Sequence, residues 1–160
     1  MDRGKYMDTD QKVVITREGL AELKKEHDEL INKKRPDLVA RLAVARGQGD
    51  LTENSEYTAA RQDLTFIDGR IAEVEKLIHE AKVVASHSKA KVDIGCKVTL
   101  HVKGKKEVFT IVGEWEADPS QKKISHSSPL GRALIGRKIG EEVEVEAPAG
   151  KIVYKVLHIE

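Results

Sequence analysis

The sequence is poor in several residue types, and each shortage excludes a class of protein. A single cysteine, Cys96, among 160 residues excludes an internal disulfide framework and a cysteine-built zinc site. Because Cys96 has apolar neighbours on a predicted strand, we expect it to be a small core residue. Aromatic residues make up 4% of the chain and charged residues 34%. That balance suits long, solvated helices better than one large core.

Long apolar runs and a strong net charge are also missing. No apolar run approaches the roughly 18 to 20 residues needed to cross a membrane, and residues 1–11 lack the apolar stretch of a signal peptide. We therefore expect a soluble, cytoplasmic protein that does not contact a membrane. The formal net charge is +1, so the chain is not an autonomous nucleic-acid binder, and any contact with nucleic acid is local or arises through a partner.

The first half has the periodicity of helices. Residues 17–85 are predicted to form two helices, the first with Thr16 as its N-cap and with Pro36 expected to kink or break it. A short break containing Gly47 and Gly49 separates two arms of about 30 residues, which should form an antiparallel hairpin roughly 45 Å long. In the second arm apolar residues recur at steps of four and three, as in a coiled-coil seam: Ala60, Leu64, Ile67, Ile71, Val74, Ile78 and Ala81.

The second half has the period of strands. Alternating apolar residues predict strands at 98–102, 108–113, 142–146 and 151–159, which form a small α+β domain with an antiparallel sheet. Ser128 and Pro129 should begin a short helix that ends at Gly136. Trp115 is expected to anchor the core or the edge of this domain. The hairpin is thus assigned to residues 13–86 and the second domain to residues 91–160.

The break between the two arms carries two carboxylates, Asp50 and Glu53, within the tip at residues 49–54. One interpretation is structural, because acidic residues and Asn54 at the start of a helix stabilise it by capping and by the macrodipole. The other is chemical, because magnesium takes one or two carboxylates together with waters and substrate oxygens. Spacing alone favours the structural interpretation, but two carboxylates could also supply part of a metal site completed elsewhere.

Two motifs closely resemble the bacterial Gre family of transcript cleavage and elongation factors, and in particular its GreA branch. The first is the hairpin tip, GDLTENSEY at residues 49–57, followed by Ala59-Ala60-Arg61. The second is SSPLGRALIG at residues 127–136. The resemblance covers about residues 13–160. It implies an N-terminal antiparallel coiled-coil hairpin followed by a small FKBP-like α+β domain.

The resemblance also implies a function. The hairpin would enter the secondary channel of bacterial RNA polymerase and stimulate the polymerase's own cleavage of backtracked nascent RNA, so that the chain is a cofactor and not an enzyme. Asp50 and Glu53 would be the catalytic carboxylates, acting on magnesium that is shared with the polymerase active site and not bound stably by this chain alone. The free protein is expected to be a monomer.

Further residues have implied contacts. Arg46, Tyr57 and Arg61 would contact the nascent RNA 3′ end or the channel wall. Alternatively, the two arginines are solvated or form ion pairs with nearby acidic residues: Glu53, Glu56 and Asp63. A separate set would dock on the coiled coil at the channel rim of the polymerase: Ser127, Ser128 and Pro129.

Other functions fit the sequence less well. A Gre-like channel binder that inhibits polymerase without stimulating cleavage is disfavoured by the intact pair of Asp50 and Glu53. A prolyl isomerase, suggested by the FKBP-like resemblance, needs an aromatic-lined pocket, and the second domain has too few aromatic residues for one: Phe109, Trp115 and Tyr154. A general coiled-coil adaptor would explain the heptads but not the charged tip.

Overall fold

The computed structural model describes residues 12–50, 52–84 and 89–160. The described residues pack as two compact units. One unit runs from Leu20 to Glu80, and the other combines the described residues up to Gly19 with those from Ala81 to Glu160. No helix among the described residues is long and apolar enough to cross a membrane.

The first unit is the expected helical hairpin. Its first arm consists of α1 (Arg17–Glu29), a π-helical turn (Leu30–Lys34) and α2 (Arg35–Arg46), and its second arm is α3 (Ser55–Glu80). Thr16 caps α1 as predicted, since its Oγ1 accepts a hydrogen bond of 3.0 Å from the Gly19 amide. Small and aliphatic side chains bury the seam between the arms: Leu30, Ala45, Ala60, Val74 and Leu77.

Pro36 does not break the first arm, contrary to one of the two predicted outcomes. It occupies the first turn of α2, where a missing backbone N–H costs least. The π-helical turn immediately before it is wider than an α-helical turn. Its last hydrogen bond runs from the Arg35 N–H to the Leu30 carbonyl, five residues back. The helical path therefore continues through the proline.

Ion pairs on the surface of the hairpin link its two arms. Arg35 Nε lies 2.7 Å from Asp68 Oδ1. Arg70 Nε and Nη2 donate bonds of 2.7 and 2.9 Å to the two carboxylate oxygens of Glu26. An exposed pair such as Arg35–Asp68 contributes only about 0.2–1 kcal/mol, whereas the partly buried, bidentate Arg70–Glu26 pair is stronger. Their main effect is to favour one register of the two arms, while the buried seam supplies most of the stability.

The second unit contains a five-stranded sheet and one short helix. The strands are β3 (Lys97–Val102), β4 (Lys105–Val112), β5 (Lys123–Ser125), β6 (Glu142–Ala147) and β7 (Gly150–Ile159), and the helix is α4 (Pro129–Leu134). The sheet order is β5-β4-β3-β7-β6. All neighbours are antiparallel, as predicted, except β4 and β5, which run parallel. Cys96 is buried in the core of this unit, as expected.

A parallel pair of short strands was not predicted. Strand β1 (Val13–Ile15) pairs with β2 (Ala81–Val83), and Ile15 is fully buried. The helix predicted up to residue 85 therefore ends at Glu80, and Ala81 belongs to a strand instead of the coiled-coil seam. Three residues are too few to show a period of two. The predicted boundary near residues 86–91 falls partly on residues 85–88, which lie outside the described residues.

The Glu116 carboxylate links three parts of the second unit. Its Oε2 accepts hydrogen bonds from the Thr16 amide (2.8 Å) and the Gly113 amide (3.1 Å), and its Oε1 accepts one from the Thr16 hydroxyl. This carboxylate therefore holds the start of α1 against the end of β4. A charge-assisted bond of this kind is stronger than a neutral one.

Trp115, next to Glu116, does not anchor the core. It lies on a 3₁₀ helix (Glu114–Glu116), and 56% of the residue is exposed. The expectation of a core anchor is therefore wrong for this residue, while the other expected position, at the edge of the domain, is compatible with its exposure. Two residues before the tryptophan the chain passes close to β1, because a Cβ on Gly113 would lie 2.1 Å from the Val14 carbonyl oxygen.

Gly113→Ala should destabilise the protein, because the added methyl group would meet backbone and not a flexible side chain. We expect a loss of about 2 kcal/mol or more in the free energy of unfolding, as for overpacking in a core. Gly69→Ala is the matched control. Its Cβ would meet nothing within 4 Å, and alanine favours a helix by roughly 0.5–1 kcal/mol over glycine. Denaturant unfolding of both variants measures the difference, and equal stability would contradict the close approach at Gly113.

Candidate functional site: the hairpin tip and the docking segment

The first arm of the hairpin ends in two glycines. The Gly47 amide donates to the carbonyls of Ala43 and Val44 at 3.2 and 3.1 Å, which closes the last turn of α2. Gly49 has a φ of +120°, a conformation that side chains rarely adopt. The glycine at this position therefore lets the chain leave α2 and turn back toward α3.

Asn54 joins the two helix ends at the tip. Its side-chain Oδ1 accepts from the Tyr57 amide at 3.0 Å and thereby caps α3. Its Nδ2 donates to the Ala45 carbonyl at 2.7 Å, at the end of α2. The predicted capping role of Asn54 is therefore confirmed. One side chain thus satisfies an unpaired N–H of one helix and a terminal carbonyl of the other.

Asp50 lies exposed in the turn and is hydrogen-bonded through one oxygen. Its Oδ1 accepts from the Thr52 amide at 2.9 Å and from the Thr52 hydroxyl at 2.6 Å. These bonds, the one from the hydroxyl first, lower the pKa of Asp50 below its ordinary value. Asp50 is therefore ionised at neutral pH, and its Oδ2 takes no part in the two bonds. Glu53 is also exposed, and Leu51 lies outside the described residues.

The turn geometry alone does not identify Asp50 as catalytic. Asp118 in the second unit makes the same two bonds with Ser120, at 2.9 and 2.6 Å, and its pKa is lowered in the same way. An aspartate that accepts from the residue two positions later is a common turn former. The difference between the two sites is that Asp50 has a second exposed carboxylate three residues away, at the end of a helical hairpin.

The basic residues at the tip are not paired to its carboxylates. Both Arg46 and Arg61 are exposed, and neither pairs with Glu53, Glu56 or Asp63 in the part of the chain that the structure describes. Glu56 and Asp63 bind Arg41 instead.

Sequence reasoning did not single out Arg41. Its Nε lies 2.5 Å from Glu56 Oε1, and its Nη1 lies 3.2 Å from Asp63 Oδ2. No local signal in the sequence marks Arg41, because both of its partners lie on the other arm of the hairpin. Tyr57 is half-buried, and its amide takes part in the Asn54 cap.

The predicted docking segment is a compact turn before α4. Ser128 caps α4, since its Oγ accepts from the Gly131 amide at 3.0 Å and donates to the Ser125 carbonyl at 2.7 Å. Ser125 Oγ also accepts from the Ser127 amide at 3.0 Å. The predicted helix start at Ser128 and Pro129 is confirmed. Ser127 and Pro129 remain exposed, so the same turn can both begin the helix and present a surface.

The described residues contain no group of three or more histidine, cysteine, aspartate or glutamate side chains arranged to hold a metal ion. Asp50 and Glu53 at the tip remain the candidate metal ligands. They are a pair, so a bound ion would need further ligands from elsewhere.

The fold and the tip define a two-domain protein with an acid-tipped helical hairpin and a small α+β domain. Residues 13–83 match the family model described as "Transcription elongation factor, N-terminal", and residues 87–160 match "Transcription elongation factor, GreA/GreB, C-term". The chain belongs to the GreA/GreB family of transcription elongation factors.

Individual relatives agree with this assignment over nearly the whole chain. The chain is 44% identical to the transcription elongation factor GreA of Thermoanaerobacter pseudethanolicus, covering 92% of this chain and 96% of that protein. It is 38% identical to the GreA of Thermomicrobium roseum, covering 94% and 98%. Among solved structures, the GreA factor homolog 1 of Thermus thermophilus matches with 25% identity and a TM-score of 0.44, covering 93% of this chain and 99% of that one.

Thr52→Val should raise the pKa of Asp50, because the substitution removes the hydroxyl donor and keeps the amide donor. We expect a partial return toward the ordinary value of about 3.9. Because the folded pKa of Asp50 is depressed, the stability that these bonds contribute is present above the unfolded pKa and is lost as the pH falls through the folded value. Carboxyl titration by NMR measures the shift. Asp118 serves as the internal control and should titrate as before, and an unchanged Asp50 would contradict the hydroxyl bond.

Asn54→Ala should loosen the tip, because it removes both the cap on Tyr57 and the bond to the Ala45 carbonyl. We expect a loss of about 1–2 kcal/mol in the free energy of unfolding. Asn54→Asp keeps the cap and loses only the donor, so its loss should be smaller. Denaturant unfolding compares the two variants, and an equal or larger loss for the aspartate variant would argue against a separate capping role.

Proposed function

We propose that this protein is a bacterial transcription elongation factor that enters the secondary channel of RNA polymerase and stimulates endonucleolytic cleavage of backtracked nascent RNA. Cleavage would rescue arrested complexes by creating a new RNA 3′ end. Membership of the GreA/GreB family over both domains supports this function. The observation that carries it is the exposed pair Asp50 and Glu53 at the end of the hairpin, with Asp50 held ionised.

The tip carboxylates fit a shared magnesium ion. Magnesium prefers oxygen ligands, and it commonly takes one or two carboxylates while waters and phosphate oxygens complete its shell. Asp50 is ionised and has Oδ2 outside its hydrogen bonds to Thr52, and Glu53 is exposed nearby. When bound, magnesium would lower the pKa of the attacking water and stabilise the leaving oxygen. Asp50 and Glu53 would hold it together with aspartates of the polymerase.

The rest of the tip would position these carboxylates and the RNA. Asn54 fixes the turn by bonding both helix ends, which restricts where Asp50 and Glu53 can point. Among the described residues, Arg46 and Arg61 form no ion pair with Glu53, Glu56 or Asp63, so their charges would be available for phosphate oxygens. Tyr57 precedes Arg61 by one helical turn, and its aromatic ring would contact RNA or the channel wall.

The chain would act as a cofactor and not as an enzyme on its own. Its two carboxylates supply part of an active site, and the polymerase would supply the other metal ligands and the RNA. The turn formed by Ser127, Ser128 and Pro129 would dock the second domain on the coiled coil at the channel rim. Its rigid bonds to Ser125 suit a binding surface that must keep one shape.

Asp50→Asn and Glu53→Gln should each abolish RNA shortening in stalled complexes while leaving the affinity for polymerase nearly unchanged. The reason is that each substitution removes a negative charge but keeps the size of the side chain. The expected loss is at least about 100-fold in the cleavage rate, as for removal of one group that stabilises a transition state. Gel analysis of labelled RNA at several magnesium concentrations measures the rate.

Glu146→Gln is the matched control, since it removes an exposed carboxylate from β6, away from the tip in sequence. It should cleave like the wild type. Normal cleavage by both tip variants would refute the proposed chemistry. If the wild-type protein bound polymerase and slowed RNA synthesis without shortening the RNA, it would be a channel-binding inhibitor instead.

A further inference from the structure

We infer that Trp115 is an aromatic anchor of the polymerase-docking surface, placed beside the turn of Ser127, Ser128 and Pro129. This inference rests on the proposed function, because it assumes that the second domain docks on polymerase. It goes beyond that function by adding a residue that neither the tip nor the SSPLGRALIG motif contains. The partner surface is a helix of the polymerase with an apolar stripe.

Trp115 exposes much of its large apolar side chain to solvent, which is unfavourable unless a partner covers it. It is the single tryptophan of the chain, and 56% of it is accessible. A tryptophan buries a large apolar area when it is covered, and tryptophan is enriched among the residues that dominate binding energy at interfaces. An exposed ring of this size therefore suits a contact with a partner better than a solvated position.

The ring is presented on a rigid support. Trp115 lies between Glu114 and Glu116 on a 3₁₀ helix, and the Glu116 carboxylate binds the amides of Gly113 and Thr16. Gly113 is itself packed against the backbone of Val14. Both ends of the segment that carries the ring are thus fixed before binding. Pre-organisation of this kind lowers the entropy that a side chain and its loop would otherwise lose on binding.

The sheet topology brings Trp115 to the same edge as the docking turn. Strands β4 and β5 run parallel, and their last residues, Val112 and Ser125, are partners. Neighbouring strands lie about 4.8 Å apart, so the segments that follow these two residues leave the sheet side by side. The His126 amide donates to the Val112 carbonyl at 2.9 Å, which holds the two exits together. Trp115 and Ser128 are each the third residue after their strand.

The surface at this edge combines apolar and charged groups. Trp115 and Pro129 are apolar and exposed, and each has an exposed charged residue close to it in sequence, Glu114 just before the tryptophan and Arg132 three residues after the proline. A helix of a coiled coil offers the complementary pattern, with aliphatic side chains flanked by residues of both charges. We expect the rings of Trp115 and Pro129 to pack against the aliphatic stripe of the polymerase helix. The charged groups would lie at the edge of this interface.

Trp115→Ala in the full-length protein tests the inference. We expect the dissociation constant for core polymerase to rise about tenfold or more, as for loss of an aromatic anchor. The factor concentration that gives half-maximal RNA cleavage should rise by the same factor, while cleavage at saturation stays that of the wild type. Trp115→Phe should restore most of the affinity. Competition against a fluorescently labelled wild-type factor measures the constants.

Val153→Ala is the matched control, because Val153 on β7 is exposed to a similar fraction, 50%, and should bind like the wild type. Trp115→Gln serves as a second variant if the alanine variant melts at a lower temperature, and it must show the same loss of affinity. Wild-type affinity of the Trp115 variants would overturn the inference, as would a lower cleavage plateau with unchanged affinity. So would a wild-type dimer, seen by sedimentation, that Trp115→Ala dissociates.

The experiments distinguish a failure of the proposed function from a failure of the role of Trp115. If the wild-type factor does not bind polymerase or does not shorten RNA, the proposed function fails, whatever Trp115 does. If the wild type does both and the Trp115 variants match it at every concentration, only the role of Trp115 fails.

Discussion

The second domain depends on one carboxylate. Glu116 accepts bonds from Thr16 at the start of α1 and from Gly113 at the end of β4, so it fixes where the first helix begins and where the chain leaves the sheet. Carboxylate oxygens are the acceptors best suited to this position, since several donors with partial positive charge converge there and the helix N-terminus adds to the field. The close approach of Gly113 to β1 and the capped start of α1 both lie at this contact.

At the tip, the structural and the chemical interpretations of the acidic residues turn out to be compatible. Asn54 caps α3 and also binds the end of α2, so capping does not require Asp50 or Glu53. Asp50 bonds to Thr52 through one oxygen only. The two carboxylates are therefore not needed as the cap of α3, while Asp50 still helps to form the turn through Thr52.

The features that could be predicted from sequence are those with a repeated or strongly local signal. The heptads of α3 predicted the hairpin, alternation predicted β3, β4, β6 and β7, and the pair Ser128 and Pro129 predicted the start of α4. Acidic and basic residues in the tip were located correctly because they lie next to the glycines that end the first arm. These signals act within a few residues of the feature they specify.

The features that escaped prediction depend on contacts between distant residues. Strands β1 and β2 are three residues each and gain their stability from pairing across about 65 residues of sequence. No residue type in the segment before Pro36 predicts the π-helical turn that is found there. The Glu116 contact with Thr16 joins residues that are 100 positions apart in sequence. Arg41 was missed because its two partners lie on the other arm.

The way in which Asn54 closes the hairpin has a consequence for how such proteins diversify. In the part of the chain that the structure describes, the Asn54 amide and the Arg41–Glu56 ion pair join the two helix ends, and the side chains at positions 50 and 53 do not take part in these bonds. The side chains at positions 50 and 53 can therefore change without altering the bonds that close the hairpin. During evolution, a few substitutions at these two positions would remove the negative charge of the tip while the fold of the hairpin stayed the same.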